Sequence, residues 1–306
     1  MRRAVAWACG ALWWAAAICV AAPPPLRVVA TSTDLAALAE AVGGERIAVE
    51  SLSSPSGDPH AVEIKPSHLA RLARAEVLVR VGLDHEPWLE RAVRASGNVR
   101  ILRGADGDID ASRDVRLLQS ETPRLRADSR PHSHGLGNPH YWLDPENARP
   151  ITASILAGLA RARPAERAAF EANRDRFLAR LDASLSRWLA ALAPWRGTRA
   201  VAMHESWPYF ASRFGLRVVA AAEPVPGVEP TPSELAALVA RMRANHVPLV
   251  IGEPHSDPGL VERIAAESGA HAVMLVPSVG ADPGARDYVA LFDVNVARLA
   301  AALGGR

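Results

Sequence analysis

The sequence predicts an α/β protein of two lobes, each a small parallel sheet flanked by helices, joined by one long rigid α-helix. Three observations carry that prediction. Between Leu26 and Leu102, short β-branched runs alternate with amphipathic stretches, the pattern of a parallel sheet with helical crossovers. From Ala165 to about Ala193 a helical period runs with no Gly or Pro, and Pro194 ends it. From Arg199 the strand–helix alternation restarts and continues almost to the C-terminus.

The elements follow in order. Arg2 and Arg3 precede an uncharged apolar stretch from Ala4 to Val20, and then come Ala21, Ala22 and three prolines. Basic start, apolar run and small-residue site together predict a cleaved signal peptide over 1–22. The run is short for a membrane anchor, which needs about 20 apolar residues. A lipid anchor at Cys19 is disfavoured, because bulky Ile18 stands where a small residue is expected. The N-terminal lobe is assigned to 23–164. It opens with a strand over Leu26–Ala30 and a helix through Val42, capped by Ser32-Thr33-Asp34 and closed by Gly43-Gly44. A second strand is expected over Arg46–Leu52, and a helix from Pro66 to about Ala75. Val77–Val81 is a third strand, Glu86–Ala95 a helix and Val99–Leu102 a fourth strand. The stretch from about Gly104 to Gly137 reads as an irregular polar loop. The linker helix is assigned to 165–194. Phe170, Phe177, Leu181, Leu185, Trp188 and Leu192 recur along it at spacings of three, four or seven. At 1.5 Å per residue it spans roughly 40 Å, a rigid strut. The C-terminal lobe, 195–306, offers strands at Arg199–Met203, Arg217–Ala221, Leu249–Gly252 and Ala272–Val276. Helices at Trp207–Phe214, Ser233–Ala244, Gly259–Ser268 and Ala285–Leu303 separate and follow them.

Charge and cysteine content narrow the chemistry. The chain has 35 basic and 33 acidic residues. Two of the basic ones are Arg2 and Arg3, so the processed chain balances at 33 against 33. With no basic stripe carrying aromatics, nucleic acid is not an expected partner. Both cysteines, Cys9 and Cys19, fall in the segment to be removed. A metal would therefore be held by imidazole and carboxylate, which suits zinc or manganese better than copper(I).

Three histidines stand in three unlike phrases: GDPH ending at His60, NPHYWLDP around His140 and MHESWPYF around His204. Imidazole is the commonest protein ligand of transition metals. In open α/β sheets, ligands bind beyond the carboxyl ends of strands. His60 follows the second strand and His204 follows the first strand of the second half, while His140 precedes the strut. Two lobes facing across a cleft bring such residues together.

The chain resembles the zinc- and manganese-binding solute-binding proteins of bacterial ABC importers, the cluster A-I family. The resemblance runs through VVATSTDLAALAEAVGGERIAVESL, GDPHAVEIKPSHLARLARAEVLVRVG, NPHYWLDPENA, VAMHESWPYFASRFGL and IGEPHSDPGLVERIAAESGA. It implies metal in the cleft, with His60, His140 and His204 at the three imidazole positions. It also implies a periplasmic, monomeric protein that hands its metal to an ABC permease and its ATPase. Manganese-preferring relatives often carry glutamate at the third position, so His204 favours Zn2+ over Mn2+ as the transported ion. Many relatives supply a fourth, carboxylate ligand after the last strand, in a phrase like DPLG. Here the phrase is Val276-Pro277-Ser278-Val279-Gly280, with proline at the carboxylate position. Asp282, Glu253 or water is left for the fourth corner.

The remaining histidines rank lower. His68, His85, His246 and His271 read as structural or solvated, and His255, in EPHSDP, lies near a strand end but below the triad. His132 and His134, in RPHSHGLG, form a very short version of the histidine-rich loop of some zinc-binding relatives. Ligating histidines usually donate their other nitrogen to a carboxylate or carbonyl, and Glu205 and Asp144 are near the ligands in sequence. An exported zinc hydrolase is the alternative, since three imidazoles with an open position is also a catalytic pattern. Against it, Pro208 occupies the place of the second histidine of HExxH, and no GxSxG occurs. A binding protein, not an enzyme, is the expectation. An adhesin role, proposed for some relatives, is compatible with transport.

Overall fold

The computed structural model describes residues 23–57, 60, 62–118, 137–223 and 228–305. The expected signal peptide with Cys9 and Cys19, and the loop histidines His132 and His134, lie outside the described residues.

Two four-stranded parallel sheets form the two lobes. The first contains β1 (Leu26–Ala30), β2 (Ile47–Ser51), β3 (Val77–Arg80) and β4 (Asp108–Asp110), in the order β2-β1-β3-β4. Helices α1 (Thr33–Gly43), α2 (Pro66–Arg74) and α3 (Leu89–Ser96) connect its first strands. Ser32 caps α1 by accepting the Leu35 N–H, as the sequence predicts. After β4 come α4 (Ala148–Ala162) and α5 (Arg167–Leu192), the strut. The second sheet contains β5 (Arg199–Ala202), β6 (Arg217–Ala221), β7 (Leu249–Gly252) and β8 (His271–Met274) in the same relative order, β6-β5-β7-β8. Its helices are α6 (Pro208–Phe214), α7 (Pro232–Ala244), α8 (Pro258–Ser268) and α9 (Tyr288–Gly304).

Two sequence expectations need correction. Val99–Leu102 is not a strand. Residues Val99–Ile101 form a 3-10 turn, held because the Asn98 side chain accepts from Arg100 N–H and donates to the Leu72 and Ala75 carbonyls. The fourth strand is β4, inside the stretch read as irregular. Its two aspartates hide it from a hydrophobicity reading. Asp108 and Asp110 ion-pair with the largely buried Arg80 at 2.8 and 3.0 Å, while Ile109 between them is buried. Helix α4 was not anticipated at all. Pro150 breaks its pattern on paper but sits in the first turn, where an N–H has no intrahelical acceptor. Its buried face, Ile151, Ile155, Gly158 and Leu159, lies over β4. Gly158 is required there, because a Cβ would stand 2.1 Å from Ile109 Cδ1.

The strut joins the lobes through packing. Phe170, Phe177, Leu181, Trp188 and Leu192 are its buried apolar face, and α5 lies against α1, α4 and α9. Trp188 packs on Phe292 of α9 at 5.2 Å between ring centres and donates its indole N–H to Asp293 at 2.8 Å. One hydrophobic core runs through both lobes, including Val28 and Val79 of the first sheet and Ala200 and Ile251 of the second. Close-packed interiors resist deformation, so this continuity opposes a wide hinge motion.

A second tie crosses beside the cleft. Asp34 in α1 is fully buried, and its carboxylate accepts the Val279 N–H at 2.9 Å. Burial raises its pKa from 3.8 to about 7, although the Val279 N–H pulls the other way. A folded-state pKa above the unfolded value gives stability that is full below about pH 4 and is lost as pH rises through 7. Glu86 has the same sign, raised from 4.5 to about 7 by burial. The metal-free protein is therefore expected to lose melting temperature from pH 4.5 to 7.5. Asp34→Asn, which keeps an acceptor for Val279 without a charge, flattens that slope. Thermal unfolding of both proteins in a chelator across this range checks it, and parallel slopes would remove Asp34 as a source.

Candidate metal centre

The strand ends of both sheets face a cavity of about 190 Å³ between the lobes. The cavity takes lining from Pro55, Ser56, Gly57 and His60 after β2, from His140 and Trp142, and from His204 and Ser206 beyond β5. Glu253 to His255 after β7 and Pro277-Ser278 after β8 complete it. Each sheet runs outward in both directions from its first strand, and ligands settle at such switch points.

The three histidines converge here. His60 comes from the loop after β2, His140 from the segment leading to α4 and His204 from the end of β5. One nitrogen from each lies within 4.8 Å of the others. The Nε2 atoms of His60 and His140 are 3.4 Å apart. The three ring centres are separated by 5.4, 5.8 and 5.3 Å. A tetrahedral zinc with Zn–N bonds of about 2.0–2.1 Å sets ligand nitrogens about 3.3–3.4 Å apart and ring centres about 5.2 Å apart. His140 and His204 are buried and His60 partly so. The donor set and its spacing thus fit a dication of zinc's size.

The backing groups orient two of the imidazoles. Asn138 Oδ1 accepts the His140 backbone N–H at 3.0 Å and faces His140 Nδ1 at 3.1 Å. Asn138 Nδ2 donates to the Glu205 carbonyl at 2.9 Å, which fixes the amide's orientation. His140 therefore carries its proton on Nδ1 and leaves the Nε2 lone pair for the cavity. His204 Nδ1 lies 3.4 Å from Glu223 Oε2, with the same consequence for its Nε2. Glu205 and Asp144, the carboxylates near the ligands in sequence, do not fill this role. Glu205 is exposed and contributes only its carbonyl. Asp144 forms a two-pronged ion pair with Arg213 at 2.7 and 2.9 Å. Adjacency in sequence misled because a side chain next to a ligand on an extended or turn segment points elsewhere.

Among the fourth-corner candidates, Asp282 is removed. It ion-pairs with Arg298 at 2.5 Å, accepts the Gly284 N–H and is absent from the cavity lining. Glu253 does line the cavity, fully buried, with Oε1 held by the Trp207 indole N–H at 2.8 Å.

His85, read from the sequence as structural or solvated, is structural and packs against the site. It is buried with its ring centre 4.1 Å from that of His60 and 5.6 Å from that of His140. The 4.1 Å spacing is too short for two imidazoles on one tetrahedral ion, so His85 braces the His60 ring edge-on. A tight turn presents it: Gly82, Leu83 and Asp84 all have positive φ, of 78, 56 and 57°. The Glu86 carboxylate clamps that turn, accepting the N–H groups of Val81 at 2.6 Å and Gly82 at 3.0 Å and the Thr31 hydroxyl at 2.5 Å. Three consecutive left-handed residues are costly and mark over-determined sites. The glycine in VGLDHEP was the one local signal. His68, His246 and His271 lie outside the cavity lining, as expected.

Comparison with known proteins agrees with this architecture. Residues 28–302 match the family model described as zinc-uptake complex component A, periplasmic. The chain is 28% identical over 299 residues to the high-affinity zinc uptake system protein ZnuA of Paracoccus denitrificans, covering 91% of this chain and 92% of that protein. It is 23% identical over 283 residues to the iron-binding protein YfeA of Yersinia pestis, with 91% and 86% covered. A crystal structure of ZnuA superposes with a TM-score of 0.75 at 28% identity, over 91% of this chain and 99% of the other. The binding protein FpvC of Pseudomonas aeruginosa in complex with Mn2+ gives 0.78 at 26% identity, over 92% and 99%.

Proposed function

The chain belongs to the family of periplasmic zinc-uptake complex component A, and on that premise we propose that it captures a divalent transition metal, zinc before others, on His60, His140 and His204. It then delivers the ion from the inter-lobe cleft to an ABC permease driven by its ATPase. The protein is exported to the periplasm by cleavage after the residue-22 region and works as a monomer of two lobes, 23–164 and 195–306, with 165–194 between them.

The observation that carries this reading is the 3.4 Å separation of the His60 and His140 Nε2 atoms. Two imidazole nitrogens held at that distance suit a shared cation. Metal identity rests on the donors. Three imidazoles without a thiolate favour zinc, nickel and copper over manganese, which prefers oxygen. Relatives bound to Mn2+ and Ni2+, and one named for iron, make selectivity the property to measure.

Competitive titration of the purified protein is expected to give one zinc per chain and at least about 100-fold preference over Mn2+, by the order of affinities for nitrogen sites. Equal affinities would overturn the zinc assignment. For the transport role, cells lacking this protein should grow poorly under zinc chelation. Wild-type protein, but not His140→Ala, should restore growth. No turnover is assigned. Glu205, placed in sequence where a HExxH base would stand, is exposed and off the cavity.

A further inference from the structure

The fourth corner of the metal centre has no carboxylate where relatives of this type are expected to carry one, and Pro277 stands there with its carbonyl engaged by the Trp142 indole N–H at 2.9 Å. We infer that His255 supplies a fourth imidazole, closing over the metal from the cleft mouth with buried Glu253 as its orienting carboxylate. This rests on the three-histidine reading above and adds to it a residue, a coordination number and an all-nitrogen donor set.

Four observations support the assignment. His255 lines the same cavity as the triad, on the loop just beyond β7, the strand that pairs with the one bearing His204. Its ring centre is 6.5 Å from that of His204, about 1.3 Å beyond the roughly 5.2 Å spacing of imidazoles sharing a tetrahedral zinc. Its side chain is 28% exposed, so a rotation into the cleft meets little packing resistance. Its Nε2 lies 3.5 Å from Glu253 Oε2, and Glu253 is itself anchored by Trp207. That arrangement repeats the backing of His204 by Glu223, the arrangement that sets the tautomer and ring direction of ligating histidines. With Nε2 turned to the carboxylate, Nδ1 is the nitrogen that reaches the ion, and either ring nitrogen serves as a ligand. Glu223 and Glu253 stand one behind each second-lobe imidazole.

The other occupants of the corner fit less well. Glu253 has one oxygen committed to Trp207, and the other stands 3.5 Å from His255 Nε2 without a hydrogen bond between them. His85 sits behind His60 and away from the cavity lining.

X-ray absorption on the zinc-loaded full chain tests this directly, because imidazole rings give a countable outer-shell scattering pattern. Four imidazoles are expected in the wild type and three plus a light oxygen ligand in His255→Ala. Zinc affinity of that variant should fall roughly 10- to 100-fold, since water can take an exposed corner. The metal-free melting curve should not change. The cobalt-loaded proteins should differ in their visible bands, with the variant shifted by the exchange of a nitrogen for an oxygen donor. Three imidazoles in the wild type, or a variant that binds with lower affinity but an unchanged imidazole count, overturns the inference. If His140→Ala and His204→Ala lose zinc while His255→Ala matches wild type, only the fourth ligand is wrong. If the triad variants also bind as wild type, the reading of the site itself has failed.

Discussion

Replacing His140 by alanine is expected to lower zinc affinity about 10²–10³-fold. Apparent binding energies of four-ligand zinc sites are about 10–16 kcal/mol, or about 2.5–4 kcal/mol per ligand. The loss falls on this residue with particular force for two reasons. His140 is buried, so water cannot readily take its place beside His60. Its tautomer is also preset by Asn138, so none of its binding energy is spent on ordering. His204→Ala, from the other lobe, should lose as much, and the double variant should lose less than the sum. Ligands of one ion are coupled, and their effects do not add. Titration against a chelator of known affinity, with circular dichroism to show that each variant is folded, measures all three. Additive small losses would mean that the histidines do not share an ion.

Zinc should raise the melting temperature of the protein by about 8–16 °C at a free concentration near 1,000 times the dissociation constant. Binding to the folded state alone contributes about 4.1 kcal/mol under that condition. A chain of this size shifts by about 2–4 °C per kcal/mol. The gain is pH-dependent with a definite sign. Each imidazole must shed its proton to bind, and free histidine titrates near pH 6.5. The zinc-dependent shift is therefore full above pH 7.5 and shrinks as pH falls through 6, by up to one proton per ligand. This is opposite in direction to the metal-free slope expected from Asp34 and Glu86, whose raised pKa values favour low pH. Scanning calorimetry with and without zinc at several pH values separates the two effects. A zinc shift that does not diminish on acidification would be incompatible with imidazole ligands.

Most elements of the fold were legible because their signals are short-range. Ser32 before α1 and Pro66 at the start of α2 announce helix starts, and both act as their positions suggest. The apolar period of the strut, from Phe170 to Leu192, is the buried face observed. Where long-range contacts overrode local pattern, the reading failed. Arg80 turns the polar run Asp108–Asp110 into a strand by pairing both carboxylates across the sheet. The packing of α4 over β4 rewards a helix that Pro150 disguises.

The same division holds at the cleft. By itself the sequence determined which residue types are available for metal: imidazoles and carboxylates, with both cysteines confined to the expected signal peptide, in three phrases each beside a strand or helix end. Those are properties of composition and local order. Only the tertiary structure decided that the three rings meet at about 5.5 Å and that Asn138 and Glu223 orient them. It also set Asp282 apart from the site and brought His85 and His255 near it. The physical reason is distance along the chain. His60 and His204 are separated by the second half of the first sheet and the strut, and their side chains meet only because a shared core holds the strand ends of both lobes face to face.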